Sequence, residues 1–339
     1  MDGLTMNSRP TNGQSGAFTS HLPDSSANDP SAEVPTQQRT LKSAIGCVGI
    51  GLHSGRRVNL TLHPAGVDHG IVFRRTDLGA AIDIPARFEQ VVDTRLCTVL
   101  ANPAHPDARI GTIEHLMAAL AGAAIDNVLV EIDGPELPIL DGSAAPFLFL
   151  LDCAGVTAQE APRRTIEVLR TVRVTDGEAY AELRPGPAQQ IAMSIDFTAP
   201  AIGRQSLSLQ VAPGPFRREL ARARTFTLAQ EIEQLHQAGL AKGGSLDNAV
   251  VVDGARVLNP GGLRMRDEFV RHKLLDVVGD LALAGGVIRG RFTGHRSGHA
   301  LNNRLLRALF ADAGAFRLAP ADAEGGWTGM RLPAAAAPL

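Results

Sequence analysis

The chain has 339 residues, is 44% hydrophobic and carries a formal net charge of −2, with 33 Lys and Arg against 35 Asp and Glu. This balance gives no electrostatic reason to expect nucleic-acid binding. Its three cysteines form neither a disulfide framework nor a Cys-x-x-Cys metal motif, so we expect a reducing compartment, the cytoplasm.

Both ends of the chain have compositions that are unfavourable for a packed core. Residues 1–38 are rich in Ser, Pro, Gly, Asn and Thr, which predicts a disordered N-terminal extension. Residues 319–339 are rich in Ala, Pro and Gly and are expected to form a flexible tail. The longest apolar run, residues 116–125, is too short to span a bilayer, so we expect no stable membrane insertion.

Between these ends, alternating apolar residues predict short strands. The first group covers residues 58–63, 70–75, 81–85, 94–100 and 127–133. A polar break at residues 157–164 precedes a second group at 165–174, 179–183, 191–197 and 287–293. We therefore predict two domains of mixed helix and sheet, residues 39–160 and 161–318. The second has a glycine-rich insert at 239–263, with a strand outside the main sheet.

A buried helix is predicted at residues 112–122, with Thr112 as its N-terminal cap and Gly122 at its end. Glu114 and His115 lie in its first turn, ahead of an almost entirely apolar segment. Ionisable residues in such surroundings need partners. They are either a capping Glu beside a core His, or a catalytic base beside a metal ligand.

A second helix, from residue 268 to the Gly285-Gly286 pair, places His272, Asp276 and Asp280 at four-residue intervals. At about 100° per residue these side chains share one face, while the opposite face is apolar and must pack into a core. The pattern fits either a solvated charged face or a helix that holds a cation between His272 and Asp276. Lys273 borders the same face.

Three further polar residues lie in loops or at helix ends. His53, in the glycine-rich loop 49–55, fits a tight turn or a substrate contact. Thr225 either caps the predicted helix 229–236 or faces a site. His299 stands at a loop-to-helix corner, where the helix N-terminus would lower its pKa and a carboxylate such as Asp280 would raise it.

Together these residues match the requirements of metal-assisted hydrolysis. A catalytic zinc site uses three protein ligands and an open position for water, with a separate base and acid. The candidate ligands are His115, His272 and Asp276; the remaining groups are Glu114 as base and His299 with Asp280 as an acid and its orienting partner. They come from three distant segments, and the sequence does not show that these segments meet.

Seven motifs, in this order, resemble the UDP-3-O-acyl-N-acetylglucosamine deacetylase family. They are GLHSG at 51–55, TIEHL at 112–116, PILDGSA at 138–144, ARTF at 223–226, GGSLD at 243–247, EFVRHKLLD at 268–276 and SGHALNN at 297–303. The resemblance runs from about residue 39 to about residue 316. It implies hydrolytic removal of acetate from the nitrogen of a UDP-linked, 3-O-acylated glucosamine, the committed step of lipid A synthesis.

The resemblance also implies a role for each site residue. One Zn²⁺ per chain, or Fe²⁺ in its place, would be held by His115, His272 and Asp276. Glu114 would be the base and Thr225 would stabilise the oxyanion. His299, oriented by Asp280, would protonate the leaving amine or stabilise the tetrahedral intermediate. The substrate would contact Lys273, Phe226 and His53, with Phe197 and Asp196 as candidates for holding the uracil.

The fold that the resemblance implies is α+β, with two similar domains that each pack a mainly antiparallel sheet on a pair of helices. The active site would lie at the domain junction, with the 239–263 insert forming part of an acyl passage. We expect a monomer. Two other functions stay open: a non-catalytic scaffold that binds a sugar nucleotide or lipid, and a zinc amidase that acts on another acylated amino sugar. Cys97 has no predicted role.

Overall fold

The computed structural model describes residues 34–320. Most of the predicted N-terminal extension and C-terminal tail lies outside this range. Two strands extend into the segments that were predicted to be disordered or flexible. The first strand begins at Gln37, and the last ends at Pro320. Within the described range, no helix combines the length and apolarity that a membrane span requires.

The first half of the described chain, residues 34–162, contains ten strands and two helices. The strands are β1 (Gln37–Leu41), β2 (Ile45–Ile50), β3 (Arg57–Pro64), β4 (Ile71–Arg75), β5 (Ile82–Pro85), β6 (Val91–Asp93), β7 (Val99–Asn102), β8 (His105–Ile110), β9 (Val128–Ile132) and β10 (Val156–Pro162). The helices are α1 (Glu114–Gly122) and α2 (Ala145–Ala154).

The second half, residues 163–320, contains ten more strands and four helices. The strands are β11 (Arg164–Val168), β12 (Val172–Asp176), β13 (Ala179–Arg184), β14 (Gln189–Asp196), β15 (Arg204–Gln210), β16 (Phe226–Leu228), β17 (Val250–Asp253), β18 (Arg256–Val257), β19 (Val287–His295) and β20 (Phe316–Pro320). The helices are α3 (Pro213–Pro215), which leads into a π-helical turn, α4 (Ala229–Gln237), α5 (Glu268–Ala282) and α6 (His299–Ala311).

The main sheet of the first half has the order β2-β3-β9-β4-β5 and is antiparallel except for the parallel pair β4 and β9. Alternation along β3 turns Val58, Leu60 and Leu62 inward, where they join the apolar residues of α1 and α2 in one hydrophobic core. The period of two in the sequence therefore identifies the buried face correctly.

The main sheet of the second half is organised around β19. This strand pairs with β11, β13 and β14, and it lies between β13 and β11 in the strand order β12-β13-β19-β11-β20. Its pairings with β11 and β14 are parallel, while the outer strands β12, β15 and β20 are antiparallel to their neighbours. Helix α5 packs against β14 and β15, and α6 against β12 and β13. The predicted α+β class, with mainly antiparallel sheets and paired helices, is confirmed.

The two halves meet where α1 packs against α5. A glycine permits this contact, because a Cβ atom built on Gly279 would lie 2.1 Å from the carbonyl oxygen of Glu114. Any larger residue at this position would force the helices apart. The close approach brings the start of α1 beside the middle of α5, which positions the site described below.

Three smaller sheets complete the described range: β1-β10, β6-β7-β8 and β16-β17-β18. The last confirms that the predicted insert carries a strand outside the main sheet. The insert also reaches the first half through its backbone, since the Gly243 N–H donates to the carbonyl of Leu52 over 3.0 Å.

Two strand predictions are wrong. Residues 94–100 were expected to form one strand, but Leu96 has a φ of 68° and the chain turns there between β6 and β7. The expected strand 165–174 is divided into β11 and β12, and between them Leu169 donates its N–H to the carbonyl of Ala315. The polar stretch at 157–164 is largely strand β10, paired with β1. The predicted domain limits, 39–160 and 161–318, stay a prediction.

Two helix ends also differ from the predictions. Thr112 does not cap α1: it has a φ of 56° and donates its hydroxyl to Glu136, and the residue before the helix is Ile113. Of the two alternatives for Thr225, the cap of α4 is excluded, because β16 lies between Thr225 and the helix. Helix α5 ends at Ala282, before the glycine pair that was expected to stop it.

Candidate active site

His115, His272 and Asp276 converge on one point between α1 and α5. One ligand atom from each lies within 4.8 Å of the other two, and all three side chains are buried. The His272 Nε2 atom is 3.3 Å from Oδ1 of Asp276, and the His115 Nε2 atom is 3.9 Å from the same oxygen. The structure therefore brings together the three segments whose meeting the sequence could not show.

The hydrogen bonds around the cluster leave ligand atoms free. His272 donates Nδ1–H to the carbonyl of Ala223 over 3.1 Å, which leaves Nε2 as an acceptor. Lys273 donates to Oδ2 of Asp276 over 2.9 Å. Among residues 34–320, neither Oδ1 of Asp276 nor Nδ1 of His115 has a hydrogen-bond partner, although both atoms are buried. Buried polar atoms without partners are costly, and a bound cation would compensate Asp276.

The protonation states also fit a metal. Burial, together with the neighbouring His272, lowers the pKa of His115 to about 3, and burial lowers the pKa of His272. Burial alone would raise the pKa of Asp276, but His272 and Lys273 lower it. At neutral pH the cluster therefore offers two neutral imidazoles and one carboxylate, the forms in which these residues bind metals.

Glu114 is the first residue of α1 and precedes His115, but it is not part of the cluster. Its Oε2 atom accepts a hydrogen bond from the backbone N–H of Thr98 over 3.1 Å. Burial, reinforced by Asp276 and Asp280 and opposed by His299, raises the pKa of Glu114 to about 7. A carboxyl group with such a pKa can take up and release a proton near neutral pH.

His299 is the first residue of α6 and forms a buried pair with Asp280. Its Nδ1 atom lies 2.8 Å from Oδ2 of Asp280, which also accepts a hydrogen bond from Nδ2 of Asn302 over 2.8 Å. Burial opposes the charged form of His299, but Asp280 and then Glu114 raise its pKa to about 10. The carboxylates therefore outweigh burial, and the protonated form of His299 is favoured at neutral pH.

The segment that carries Thr225 is fixed next to the cluster. Ala223, two residues earlier, holds the ring of His272, and the backbone N–H of Thr225 donates to the carbonyl of Gly142 over 2.8 Å. Arg224, between them, forms a buried ion pair with Glu268, with 2.8 Å between Nε and Oε1. The backbone of Thr225 is therefore fixed by contacts that do not use its hydroxyl group.

Two aromatic side chains, Phe226 and Phe197, continue the site beyond the metal-ligand cluster. The ring centroid of Phe226 is 5.5 Å from that of Phe197 and 6.2 Å from that of His272. The ammonium of Lys273 lies 5.6 Å from the Phe226 centroid. Phe197 thus reaches the site through Phe226, whereas the neighbouring Asp196 pairs with an arginine, Arg204, over 3.0 Å.

His53 lies in the loop that the insert contacts. The backbone N–H groups of His53 and Ser54 both donate to the carboxylate of Glu136 over 2.8 Å, and Glu136 also accepts from Thr112. Burial lowers the pKa of the His53 ring, and both of its nitrogens are buried without a partner in the described range. Within residues 34–320, this ring forms no hydrogen bond to the metal-ligand cluster.

Cys97 is buried beside Glu114. Burial and the charge of Glu114 raise the pKa of its thiol to about 12, so that it is protonated at neutral pH and unreactive.

Several residues that support the site were not identified from the sequence. Three of them, Asn302, Glu268 and Arg224, lie in the family motifs, and these motifs could have indicated that they belong to the site. Thr98 and Glu136 belong to none of them. Each of these five residues acts on a partner that is distant in the chain, and only the fold shows the pairing.

Two neutral imidazoles and a carboxylate at one buried point, beside a carboxyl base and a His–Asp pair, are typical of hydrolases that use a metal-bound water. The sequence model of the family described as LpxC, UDP-3-O-acyl N-acetylglycosamine deacetylase, matches residues 38–311. The chain belongs to this family, which is metal-dependent.

Curated relatives agree with this assignment and carry the name UDP-3-O-acyl-N-acetylglucosamine deacetylase. The protein from Myxococcus xanthus (strain DK1622) is 51% identical over 284 residues, which cover 84% of this chain and 90% of the relative. The protein from Stenotrophomonas maltophilia (strain K279a) is 51% identical over 282 residues, 83% of this chain and 92% of the relative. The protein from Shewanella sp. (strain W3-18-1) is 50% identical over 289 residues, 85% of this chain and 94% of the relative.

Proposed function

We propose that this chain is a zinc-dependent N-deacetylase that hydrolyses UDP-3-O-(3-hydroxyacyl)-N-acetylglucosamine to the free amine and acetate, the committed step of lipid A biosynthesis. The observation that carries the proposal is the buried convergence of His115, His272 and Asp276, with one oxygen of Asp276 lacking a partner within the described range. The family assignment and the names of the relatives support the substrate.

The ligand set favours zinc. Two imidazole nitrogens and one carboxylate oxygen are ligands that Zn²⁺ accepts in catalytic sites, where a water takes the fourth position. Iron(II) is compatible with the same donors. When bound by His115, His272 and Asp276, the ion would supply an acidified water and a polarised amide carbonyl.

The side chains around the cluster would carry the proton transfers. Glu114 would take a proton from the attacking water as the new C–O bond forms. The hydroxyl of Thr225 would donate a hydrogen bond to the oxyanion that develops on the carbonyl oxygen. His299, protonated and oriented by Asp280, would give a proton to the amide nitrogen as the C–N bond breaks. Acetate and the free amine are the balanced products.

The substrate would extend along the aromatic group. Lys273, a cation next to Phe226, suits the phosphates or sugar oxygens of the UDP-linked substrate. Phe197 and Asp196 are the candidates for the uracil, since one offers a ring for stacking and the other a carboxylate for N–H groups. His53 and the adjoining insert are the candidates for the sugar and acyl chain. A cytoplasmic location and a monomeric state stay predictions.

The test combines metal quantification with an acetate-release assay on purified protein. The wild-type chain should contain about one metal ion and release acetate from the UDP-linked substrate. His272→Ala should lose both, while the matched variant His105→Ala, at an exposed histidine, should lose neither.

Two outcomes would contradict the proposal. Binding of the UDP-linked substrate without metal or acetate release would favour a non-catalytic scaffold. Equal turnover of amino sugars that lack the 3-O-acyl chain or the UDP group would favour an amidase of different specificity.

A further inference from the structure

Thr98 contacts both acid–base groups of the site through two different atoms. Its backbone N–H donates to Oε2 of Glu114 over 3.1 Å, and its hydroxyl donates to Oδ1 of Asp280 over 2.7 Å. The side chain is buried, with 2% of its surface exposed. One residue therefore holds the carboxyl group proposed as base and the carboxylate that orients the proposed acid.

The position of Thr98 depends on the small sheet of the first half. Thr98 lies immediately before β7, after the turn in which Leu96 has a φ of 68°. This turn directs the residue toward α5 of the second half, which carries Asp280. The hydrogen bond to Asp280 thus crosses between the two halves, as the packing of α1 on α5 does.

The carboxylate of Asp280 is held from both sides. Oδ2 accepts from Nδ1 of His299 and from Nδ2 of Asn302, both on α6, whereas Oδ1 accepts from the Thr98 hydroxyl. Because a carboxylate is planar, fixing one oxygen also fixes the direction of the other. Without the hydroxyl, the carboxylate could rotate and Oδ1 would be left buried without a donor.

We propose that Thr98 is a positioning residue of the deacetylation reaction: it sets the orientation of Asp280, and thereby of His299, relative to Glu114. This inference rests on the proposed function. The residue is not proposed to touch the substrate, so it acts on the chemical step rather than on binding. Misplacement of a catalytic group by about 1 Å can lower the rate about 100-fold.

The test compares two substitutions at this position in the metal-loaded protein. Thr98→Val keeps the shape and the backbone N–H but removes the hydroxyl, and should lower kcat about 10- to 100-fold with KM changed less than about twofold. Thr98→Ser keeps the donor and should restore kcat to within about threefold of wild type. Metal content should be unchanged in both. Thr98→Ala replaces the valine variant if the latter does not fold.

A matched control distinguishes a loss of catalytic positioning from a loss of protein stability. Thr40 is also buried, and its hydroxyl donates to a backbone carbonyl over 2.7 Å in the first half, away from the cluster. Thr40→Val should lower the unfolding midpoint without changing kcat. A loss of kcat in Thr40→Val equal to that in Thr98→Val would show a general effect of stability and overturn the inference.

A double-mutant cycle tests the route through His299. In the His299→Ala background, Thr98→Val should cost less than about threefold, because the group that it orients is gone. Full additivity of the two losses would overturn the inference, as would wild-type kcat in Thr98→Val alone. The absence of acetate release by the wild-type chain would instead overturn the proposed function, and with it this inference.

Discussion

The ionisable side chains in and next to the cluster have widely separated pKa values, although they share one buried space. Burial lowers the pKa of His115 to about 3 and raises that of Glu114 to about 7, whereas Asp280 and Glu114 overcome burial and raise that of His299 to about 10. One histidine is therefore neutral and suited to bind a metal, while the other is a cation suited to donate a proton.

Removal of the Asp280 charge should change the pH dependence of turnover. His299 would act in its protonated form, so activity is lost as pH rises through its pKa. Asp280→Asn removes the main group that raises this pKa, while burial still lowers it, and the alkaline limb of kcat should move to lower pH. A bound metal would lower the alkaline limb of kcat in both proteins, so the direction of the shift would be unchanged.

The measurement is kcat against pH for the metal-loaded wild type and Asp280→Asn. Asp152→Asn, at an exposed carboxylate paired with Arg217, is the control and should keep the wild-type profile. An alkaline limb that stays in place in Asp280→Asn would exclude His299 as the titrating acid.

Loss of the Glu114 carboxylate should separate turnover from metal binding. Glu114→Gln keeps an oxygen that can accept from the Thr98 N–H but cannot act as a base at neutral pH. We expect kcat to fall about 10²- to 10⁴-fold with metal content unchanged. His115→Ala should instead lose the metal. Full activity in Glu114→Gln would remove this residue from the mechanism.

Among the elements, α5 was the most predictable from the sequence. Its spacing of His272, Asp276 and Asp280 follows the helical repeat, so their shared face could be inferred locally and is confirmed. Strands with clear alternation, such as β3, were also identified.

The remaining features depend on long-range partners or unusual backbone. The Leu96 turn has a positive φ that the apolar pattern concealed, and Thr112 uses its hydroxyl on Glu136 rather than on its own helix. The bond from Thr98 to Asp280 spans 182 positions of the chain, and no local pattern encodes it. Local periodicity thus predicted which side chains share one face of a helix, but not which distant residues contact that face.

The contact between α1 and α5 should be sensitive to a single methyl group. A Cβ atom on Gly279 would overlap the Glu114 carbonyl, so Gly279→Ala should destabilise the protein by about 1–3 kcal/mol and weaken metal retention. Gly66→Ala adds the same group where nothing lies within 4 Å, and should change stability by less than about 0.5 kcal/mol. Denaturant unfolding measures both, and an unchanged midpoint in Gly279→Ala would contradict the tight packing.

At the scale of the whole molecule, the two halves are joined by packing and by the site itself. Helix α1 of the first half supplies His115, and α5 of the second supplies His272 and Asp276. An ion held by all three binds the folded chain and not the unfolded one, so it should stabilise the protein through linkage.

Metal removal should therefore lower the thermal midpoint. At a metal concentration 100 times the dissociation constant, the ion contributes about 2.7 kcal/mol to the free energy of unfolding. Treatment of the wild type with a chelator should reduce Tm, and added zinc should restore it. His272→Ala should show no response to either, and an equal response in that variant would place the stabilising ion elsewhere.

The division of the ligands between α1 and α5 also sets the order of events during biosynthesis. When the ribosome has released only the first half, His115 stands alone, and a single imidazole cannot retain an ion against cellular competitors. The complete donor set exists only after α5 has emerged and docked. Nascent or truncated chains that end before α5 should consequently be free of metal, so that cofactor loading reports that α5 has been synthesised and has docked on α1.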